Sequence, residues 1–119
     1  MKSIDHITIN IFEEIGGSAA VSSDDGEAIF NHIVKALNNK RKVIIDFNNI
    51  ELITSTFLNT AIGQLYSQYD SPFLKEHLQV ENMAKEDIQL LKKVVEIAKE
   101  YFKNKEKMDK IIQESLNDE

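Results

Sequence analysis

The N-terminal part of the chain alternates between apolar and polar residues in a way that predicts short β-strands. Residues 6–12 alternate over most of their length, which is typical of a strand with one buried face. Gly16 and Gly17 then interrupt the pattern, and a glycine pair at this place predicts a hairpin turn. Residues 18–21 would form a second short strand, paired with the first across that turn.

Two further segments also have strand character. Residues 43–47 form a short and nearly continuous apolar run, which predicts a central strand that is covered on both faces. Residues 77–80 are a weaker candidate for another strand.

Three longer segments place apolar residues at the three- and four-residue steps of an amphipathic helix. The first begins within residues 22–25, where a capping side chain can accept the free N–H groups of a helix start. The second begins at Phe57 and is ended by Pro72, and the third spans residues 83–102. A last, weaker amphipathic helix is predicted by the spacing of Met108, Ile111, Ile112 and Leu116.

Strands that alternate with helices predict an α/β fold, here a small mixed β-sheet packed by helices. The chain has 119 residues, which is enough for one compact domain. We expect this domain to span residues 6–102. Because the last third of the chain is densely charged but nearly neutral, residues 103–119 are expected to form an extra C-terminal helical extension.

The net charge and the absence of cysteine restrict the partners and the cellular location that we expect. A formal net charge of −6 at pH 7 argues against a general attraction to nucleic acid or to an anionic membrane. The chain has no cysteine, which excludes disulfides and thiolate metal ligands and fits a cytoplasmic location. No segment has the pattern of a signal peptide or of a membrane-spanning helix. We expect neither a metal nor a cofactor.

The sequence offers little that points to an enzyme. None of the three histidines, His6, His32 and His77, accompanies a Gly-x-Ser-x-Gly nucleophile motif or a His-Glu-x-x-His metal motif. A hydrolase needs a nucleophile, a base and an orienting acid together. Only a pocket that gathered His32 or His77 with Asp46 would favour catalysis.

Three adjacent hydroxyl residues, Thr54, Ser55 and Thr56, precede the predicted helix that begins at Phe57. The first N–H groups of a helix lack intrahelical acceptors, so hydroxyls at this position commonly cap the helix. The same helix end also stabilises negative charge, so a phosphate on Ser55 or Thr56 would be held readily. The spacing leaves both interpretations open.

The segment that contains these hydroxyls resembles the signature of the STAS-like domain family, a bacterial group of unknown function related to anti-sigma factor antagonists. The similar run is VIIDFNNIELITSTFL, residues 43–58, in which an apolar strand ends in Asp-Phe and a hydroxyl cluster leads into a helix. Upstream, agreement is found around Ser22 and Gly26. The resemblance covers roughly residues 6–102.

The resemblance implies a regulatory protein-interaction module that signals without catalysis. In the antagonists, a serine at the start of this helix is phosphorylated by a partner kinase that is itself the anti-sigma factor, and the unphosphorylated form binds that kinase. Ser55 falls on the phosphorylated serine, Thr56 on a second serine, Thr54 on an aspartate and Phe57 on a glycine. The resemblance therefore implies Ser55 as the phosphorylation site, and a partner surface formed by Thr54, Ser55, Thr56, Phe57 and Asn59.

The alternative is a constitutive binding or scaffolding domain, partnered with a histidine-kinase-like ATPase or another regulator, in which the hydroxyls only cap the helix. A buried Ser55 hydroxyl, together with Phe57 in the core, would favour it. The apolar residues of the C-terminal extension must also be covered. The domain itself, a second copy in a homodimer or a partner helix would each do so.

Overall fold

The computed structural model describes the backbone of residues 5–117 and the side chains of residues 5–103. A 3-10 helix, Gly63–Ser67, lies between the third and fourth α-helices. The strands and α-helices follow one another as β1 (His6–Asn10), α1 (Ile11–Ile15), β2 (Ala19–Ala20), α2 (Ser23–Asn38), β3 (Lys42–Asp46), β4 (Leu52–Ile53), α3 (Ser55–Ala61), α4 (Ser71–His77), β5 (Leu78–Glu81) and α5 (Lys85–Asn117).

The described strands form two small parallel sheets, and the predicted α/β class is confirmed. The larger sheet has the order β1, β3, β5, and both of its pairings are parallel. The predicted central strand is confirmed, since β3 lies in the middle with Val43 and Ile45 buried. β2 and β4 form the smaller parallel pair, in which Ala20 lies opposite Ile53. Parallel neighbours require long crossover connections, and α2 lies in the connection between β2 and β4.

The predicted pairing of residues 18–21 with the first strand is wrong. The chain leaves β1 through Asn10, whose Oδ1 accepts the Glu13 N–H at 2.9 Å and so caps α1. Gly16 ends α1 in the left-handed conformation with φ 76°, and its N–H donates to the Phe12 carbonyl. The glycine pair therefore lies at the C-terminus of α1 instead of closing a hairpin. As a result, β2 pairs with β4 and not with β1.

Two predicted helix boundaries also differ from the structure. The predicted helix from Phe57 to Pro72 is divided, because α3 ends at Ala61 and the 3-10 helix follows it. Pro72 lies in the first turn of α4, where its missing N–H has no intrahelical partner to lose. The predicted separate last helix is a continuation of α5, whose backbone runs unbroken from Lys85 to Asn117. The side chains of its apolar residues beyond position 103 lie outside the described ones.

One hydrophobic core joins the sheet to α2, α3 and α5. Helices α2 and α3 approach each other closely at Gly26 on α2, where an added Cβ would lie 2.9 Å from Thr60 Cβ and 3.0 Å from the Phe57 carbonyl oxygen. The absence of a side chain at Gly26 therefore sets how closely α3 approaches α2. Among the described helices, none combines the length and apolar character that a membrane crossing requires.

Candidate functional site

The starts of α2 and α3 lie side by side at the carboxyl ends of β2 and β4. The Thr54 N–H, which follows β4, donates to the Ala20 carbonyl of β2 at 3.1 Å. Ser22 Oγ caps α2 by accepting the Asp25 N–H at 3.1 Å. In open α/β structures, the carboxyl ends of parallel strands form the edge at which ligands commonly bind. This edge also carries the hydroxyl cluster that the sequence singled out.

Thr54 is the residue that caps α3. Its Oγ1 accepts the Phe57 N–H at 3.2 Å and donates to the Val21 carbonyl at 2.8 Å. One half-buried hydroxyl thus closes the first turn of α3 and ties it to the segment that leads into α2. The question that the sequence left open is answered for this residue, since Thr54 has a structural role.

Ser55 and Thr56 are both exposed in the first turn of α3, and Asn59 is exposed one turn further along. Within residues 5–103, no side-chain hydrogen bond engages the hydroxyl of Ser55 or of Thr56. The opposite side of α3 is buried in the core through Phe57, Leu58, Thr60 and Ala61. The structure therefore brings together three of the predicted contact residues, Ser55, Thr56 and Asn59, on one polar and accessible face.

Phe57 cannot belong to that face. Its side chain is 0% exposed and is the largest of the fully buried side chains that the structure describes. The prediction that Phe57 contacts a partner is therefore wrong, because a docked protein would find no surface of it to touch. Phe57 lies in the first turn of α3 on the side that faces the core, and burying its large apolar area is favourable.

The pattern analysis missed Leu52, which is 56% exposed on β4, three residues before Ser55. Its neighbour Ile53 is buried, as the alternation of a strand requires. A two-residue strand is too short for this alternation to be recognised in the sequence. Leu52 gives the segment just before the hydroxyls an exposed apolar side chain, and its burial by a partner would be favourable.

The titratable groups considered for catalysis have separate partners. His32 Nδ1 contacts Glu14 Oε1, and His77 Nδ1 lies 2.9 Å from the Phe73 carbonyl oxygen. Asp46 Oδ1 accepts the Asn48 N–H at 2.9 Å and Asn82 Nδ2 at 2.8 Å. No cluster of three metal-ligating side chains occurs among the residues that the structure describes. The described geometry does not bring His32 or His77 together with Asp46.

Two tyrosines, Tyr66 and Tyr69, have raised pKa values, and both lie between α3 and α4. Burial raises the pKa of Tyr66 and of Tyr69 above the usual value of 10.0, because it disfavours the charged phenolate. The Tyr69 hydroxyl donates to Asn38 Oδ1 at 2.7 Å. Both side chains therefore stay protonated at neutral pH, and neither supplies a base.

We expect Thr54→Val to lower the free energy of unfolding by about 1–2 kcal/mol, since the cap and the bond to Val21 are both lost. Valine keeps the shape of threonine and removes only its hydrogen-bonding capacity. Equilibrium urea unfolding, monitored by circular dichroism, measures this change. The free energy of unfolding in water and its slope against urea concentration are compared between the variants.

Thr54→Ser is the matched control, because serine can make both hydrogen bonds. It should retain most of the stability that valine loses. Equal stability of Thr54→Val and the unmodified chain would show that this hydroxyl does not join the two helix starts.

A comparison with known families finds a match over the segment that carries these elements. A family model described as a STAS-like domain of unknown function (DUF4325) matches residues 25–87, which is more than half of the chain. The matched range contains most of α2, all of α3 and α4, and the hydroxyl cluster. No curated protein matches the chain, and no solved structure does. The resemblance predicted from the sequence is thereby confirmed, and the chain belongs to the STAS-like domain family.

Proposed function

We propose that this chain is a regulatory protein-interaction domain without catalysis of its own, and that it binds a protein partner through the face formed by Leu52, Ser55, Thr56 and Asn59. We propose further that phosphorylation of Ser55 weakens this binding. The partner that fits the proposal is a histidine-kinase-like ATPase of the anti-sigma factor type. Membership of a STAS-like family supports a regulatory or interaction role in general terms.

The observation that carries the proposal is the separation of roles among the three hydroxyls. Thr54 caps α3, so the Ser55 hydroxyl is not needed as the helix cap. Ser55 is exposed and accessible to a partner. A modification of Ser55 therefore leaves the cap intact. The added phosphate therefore changes only the contact face that the partner would bind.

The physical effect of phosphorylation at this position favours release. A phosphate adds about −1.5 to −2 charge and three acceptor oxygens. The start of α3 tolerates this charge because its N–H groups point toward it. A partner surface fitted to a neutral hydroxyl must instead bury an unpaired dianion, which is strongly unfavourable.

A constitutive binding domain is the second candidate, and the position of Phe57 favours it. The aromatic ring lies in the core where the antagonists have a small residue, so the contact face differs from theirs. The exposure of Ser55 favours the switch, since the alternative expected that hydroxyl to be buried. A binding experiment on Ser55 distinguishes the two candidates.

We expect Ser55→Glu to weaken partner binding by about tenfold or more, because it adds a charge to a desolvated contact. Proteins retained from a lysate of the source organism by the unmodified chain and by Ser55→Glu would be quantified by mass spectrometry. The retained ATPase would then be purified, its affinity measured by calorimetry, and its ability to phosphorylate the chain mapped by peptide sequencing.

Ser55→Ala is the neutral control and should bind like the unmodified chain. Thr56→Glu places the same charge one residue further along the helix and tests whether position matters. Unfolding free energies of all three variants should stay within about 0.5 kcal/mol of one another, since these side chains are exposed. Equal affinity of Ser55→Glu and Ser55→Ala, with no phosphate transferred to Ser55, would reject the switch and leave the constitutive domain.

A further inference from the structure

Strand β1 forms one edge of the larger sheet, and β3 is its one partner among the strands that the structure describes. The register places His6 beside Lys42, and the Lys42 N–H donates to the Asp5 carbonyl at 3.0 Å. Because successive residues of a strand direct their backbone groups to opposite sides, the N–H and carbonyl groups of Thr8 point away from β3. The His6 carbonyl and the Asn10 N–H point the same way. Within residues 5–103, no strand lies on that side to receive them.

The sequence of β1 does not protect this edge from pairing with another strand. Edge strands commonly carry charged side chains, proline or a bulge, each of which hinders further pairing. β1 reads His-Ile-Thr-Ile-Asn and contains neither proline nor any lysine, arginine, aspartate or glutamate, while His6 and Thr8 are exposed. The opposite edge of the sheet is β5, which ends in the exposed Glu81. Of the two edges, β1 is therefore the one suited to accept a further strand.

A second copy of β1 fits this edge in antiparallel orientation. With Thr8 opposite Thr8 of the second copy, the two residues exchange both of their N–H···O bonds. The Asn10 N–H then lies opposite the His6 carbonyl of the second copy, and twofold symmetry repeats this contact. Threonine side chains directly opposite each other stabilise an antiparallel pair. The pairing uses outward-pointing backbone groups and the exposed Thr8, so Ile7 and Ile9 keep their packing against the core of their own domain.

The two ends of β1 differ in charge in a way that also favours the antiparallel pairing of two copies. At the amino end, His6 lies beside Lys42, and Arg41 precedes Lys42. Asp5 is the acid at this end, and the basic residues outnumber it. At the carboxyl end, α1 begins and carries the exposed Glu13 in its first turn. Antiparallel pairing brings the basic end of each copy next to the acidic end of the other, which is a favourable arrangement of charge.

We propose that the protein forms a homodimer in which β1 pairs in antiparallel orientation with the β1 of a second copy, with the twofold axis between the two Thr8 residues. The larger sheets of the two copies then join into one six-stranded sheet, with three strands from each copy. The surface involved is separate from the face around Ser55, and the inference does not rest on the proposed function.

The absence of cysteine makes the register directly testable, because an introduced thiol is the only one in the chain. Facing residues of a hydrogen-bonded antiparallel pair have Cα atoms about 5.5 Å apart, within the distance that a disulfide spans. We therefore expect full-length Thr8→Cys to form covalent dimers on oxidation. Gln79→Cys is the matched control, since Gln79 is exposed on the opposite edge strand, and it should give few covalent dimers. Equal cross-linking of the two variants would overturn the proposal.

Introduced charges test the same register without a covalent bond. In sedimentation equilibrium, the unmodified chain should show twice its mass of 13.6 kDa. Thr8→Lys and Thr8→Glu should each weaken the dimer by about fivefold, since like charges then lie directly opposite each other across the twofold axis. An equimolar mixture of the two variants places lysine opposite glutamate, and it should bind within about twofold of the unmodified chain.

Gln79→Lys and Gln79→Glu are the matched controls, because they introduce the same charges in the same row of the sheet, where Ile44 lies between Thr8 and Gln79. Both should leave the dimer affinity within about twofold of the unmodified chain. A monomer at about 100 µM, or a dimer that the Thr8 and Gln79 substitutions weaken equally, would overturn the proposal. A mixture of Thr8→Lys and Thr8→Glu that binds no more tightly than either variant alone would overturn it as well.

Discussion

Phe57→Ala is expected to lower the free energy of unfolding by about 3–5 kcal/mol, the loss typical of a large aromatic removed from a core. The side chain is fully buried and anchors the first turn of α3. Alanine loses the burial of the ring and leaves a cavity that the surrounding helices fill only in part. Domains of this size are stable by about 5–15 kcal/mol, so this substitution removes a large fraction of the total. Urea unfolding monitored by circular dichroism measures the change.

Phe12→Ala is the control, since Phe12 is the same residue type but is 37% exposed on α1. Its expected effect is less than half that of Phe57→Ala, because less apolar area leaves the core. Similar losses for the two variants, or a loss below about 1 kcal/mol for Phe57→Ala, would contradict the burial on which the revised contact face depends.

Gly26→Ala is expected to destabilise the domain by about 1–3 kcal/mol, although alanine is the better helix former by about 1 kcal/mol. The added Cβ would lie 2.9 Å from Thr60 Cβ and 3.0 Å from the Phe57 carbonyl oxygen. Neither of these atoms is the flexible end of a side chain, so α3 must move away from α2. The same displacement should weaken partner binding at Ser55. Thermal and urea unfolding measure the first effect, and calorimetry with the partner measures the second.

Gly17→Ala provides the comparison, because no atom lies within 4 Å of the position of its Cβ. We expect its stability to stay within about 0.5 kcal/mol of the unmodified chain. If Gly26→Ala were instead stabilising, as alanine is at an exposed helix position, the close approach of α2 and α3 would be refuted.

The sequence predicted the elements whose signals are local. The apolar run of β3 and the capped start of α2 need no information from distant parts of the chain, and both are confirmed. The pairing of β2 with β4 was not predictable in this way, because two-residue strands carry no periodicity and their partner lies beyond α2. The continuity of α5 was missed because its apolar pattern lapses after Phe102, although the lysines and glutamates there favour a helix.

The sequence predicted the candidate site as a short segment of hydroxyl residues but did not assign a separate role to each of them. Thr54, Ser55 and Thr56 are chemically similar, and each is able to cap a helix. Which of them does so depends on where the extended backbone ends, and Thr54 is the last extended residue, with φ −112° and ψ 158°. That boundary is set by the hydrogen bond from the Thr54 N–H to Ala20, a contact that no local pattern encodes.

The bond between Thr54 and Val21 joins residues 33 positions apart in the chain. Closing such a long loop costs conformational entropy that is recovered only when distant segments meet, so contacts of this kind form slowly and late in folding. In a chain that has not finished folding, the start of α3 is therefore not yet joined to the segment that leads into α2. The proposed contact face formed by Leu52, Ser55, Thr56 and Asn59 is then not yet assembled. Binding of the proposed partner would therefore depend on completed folding.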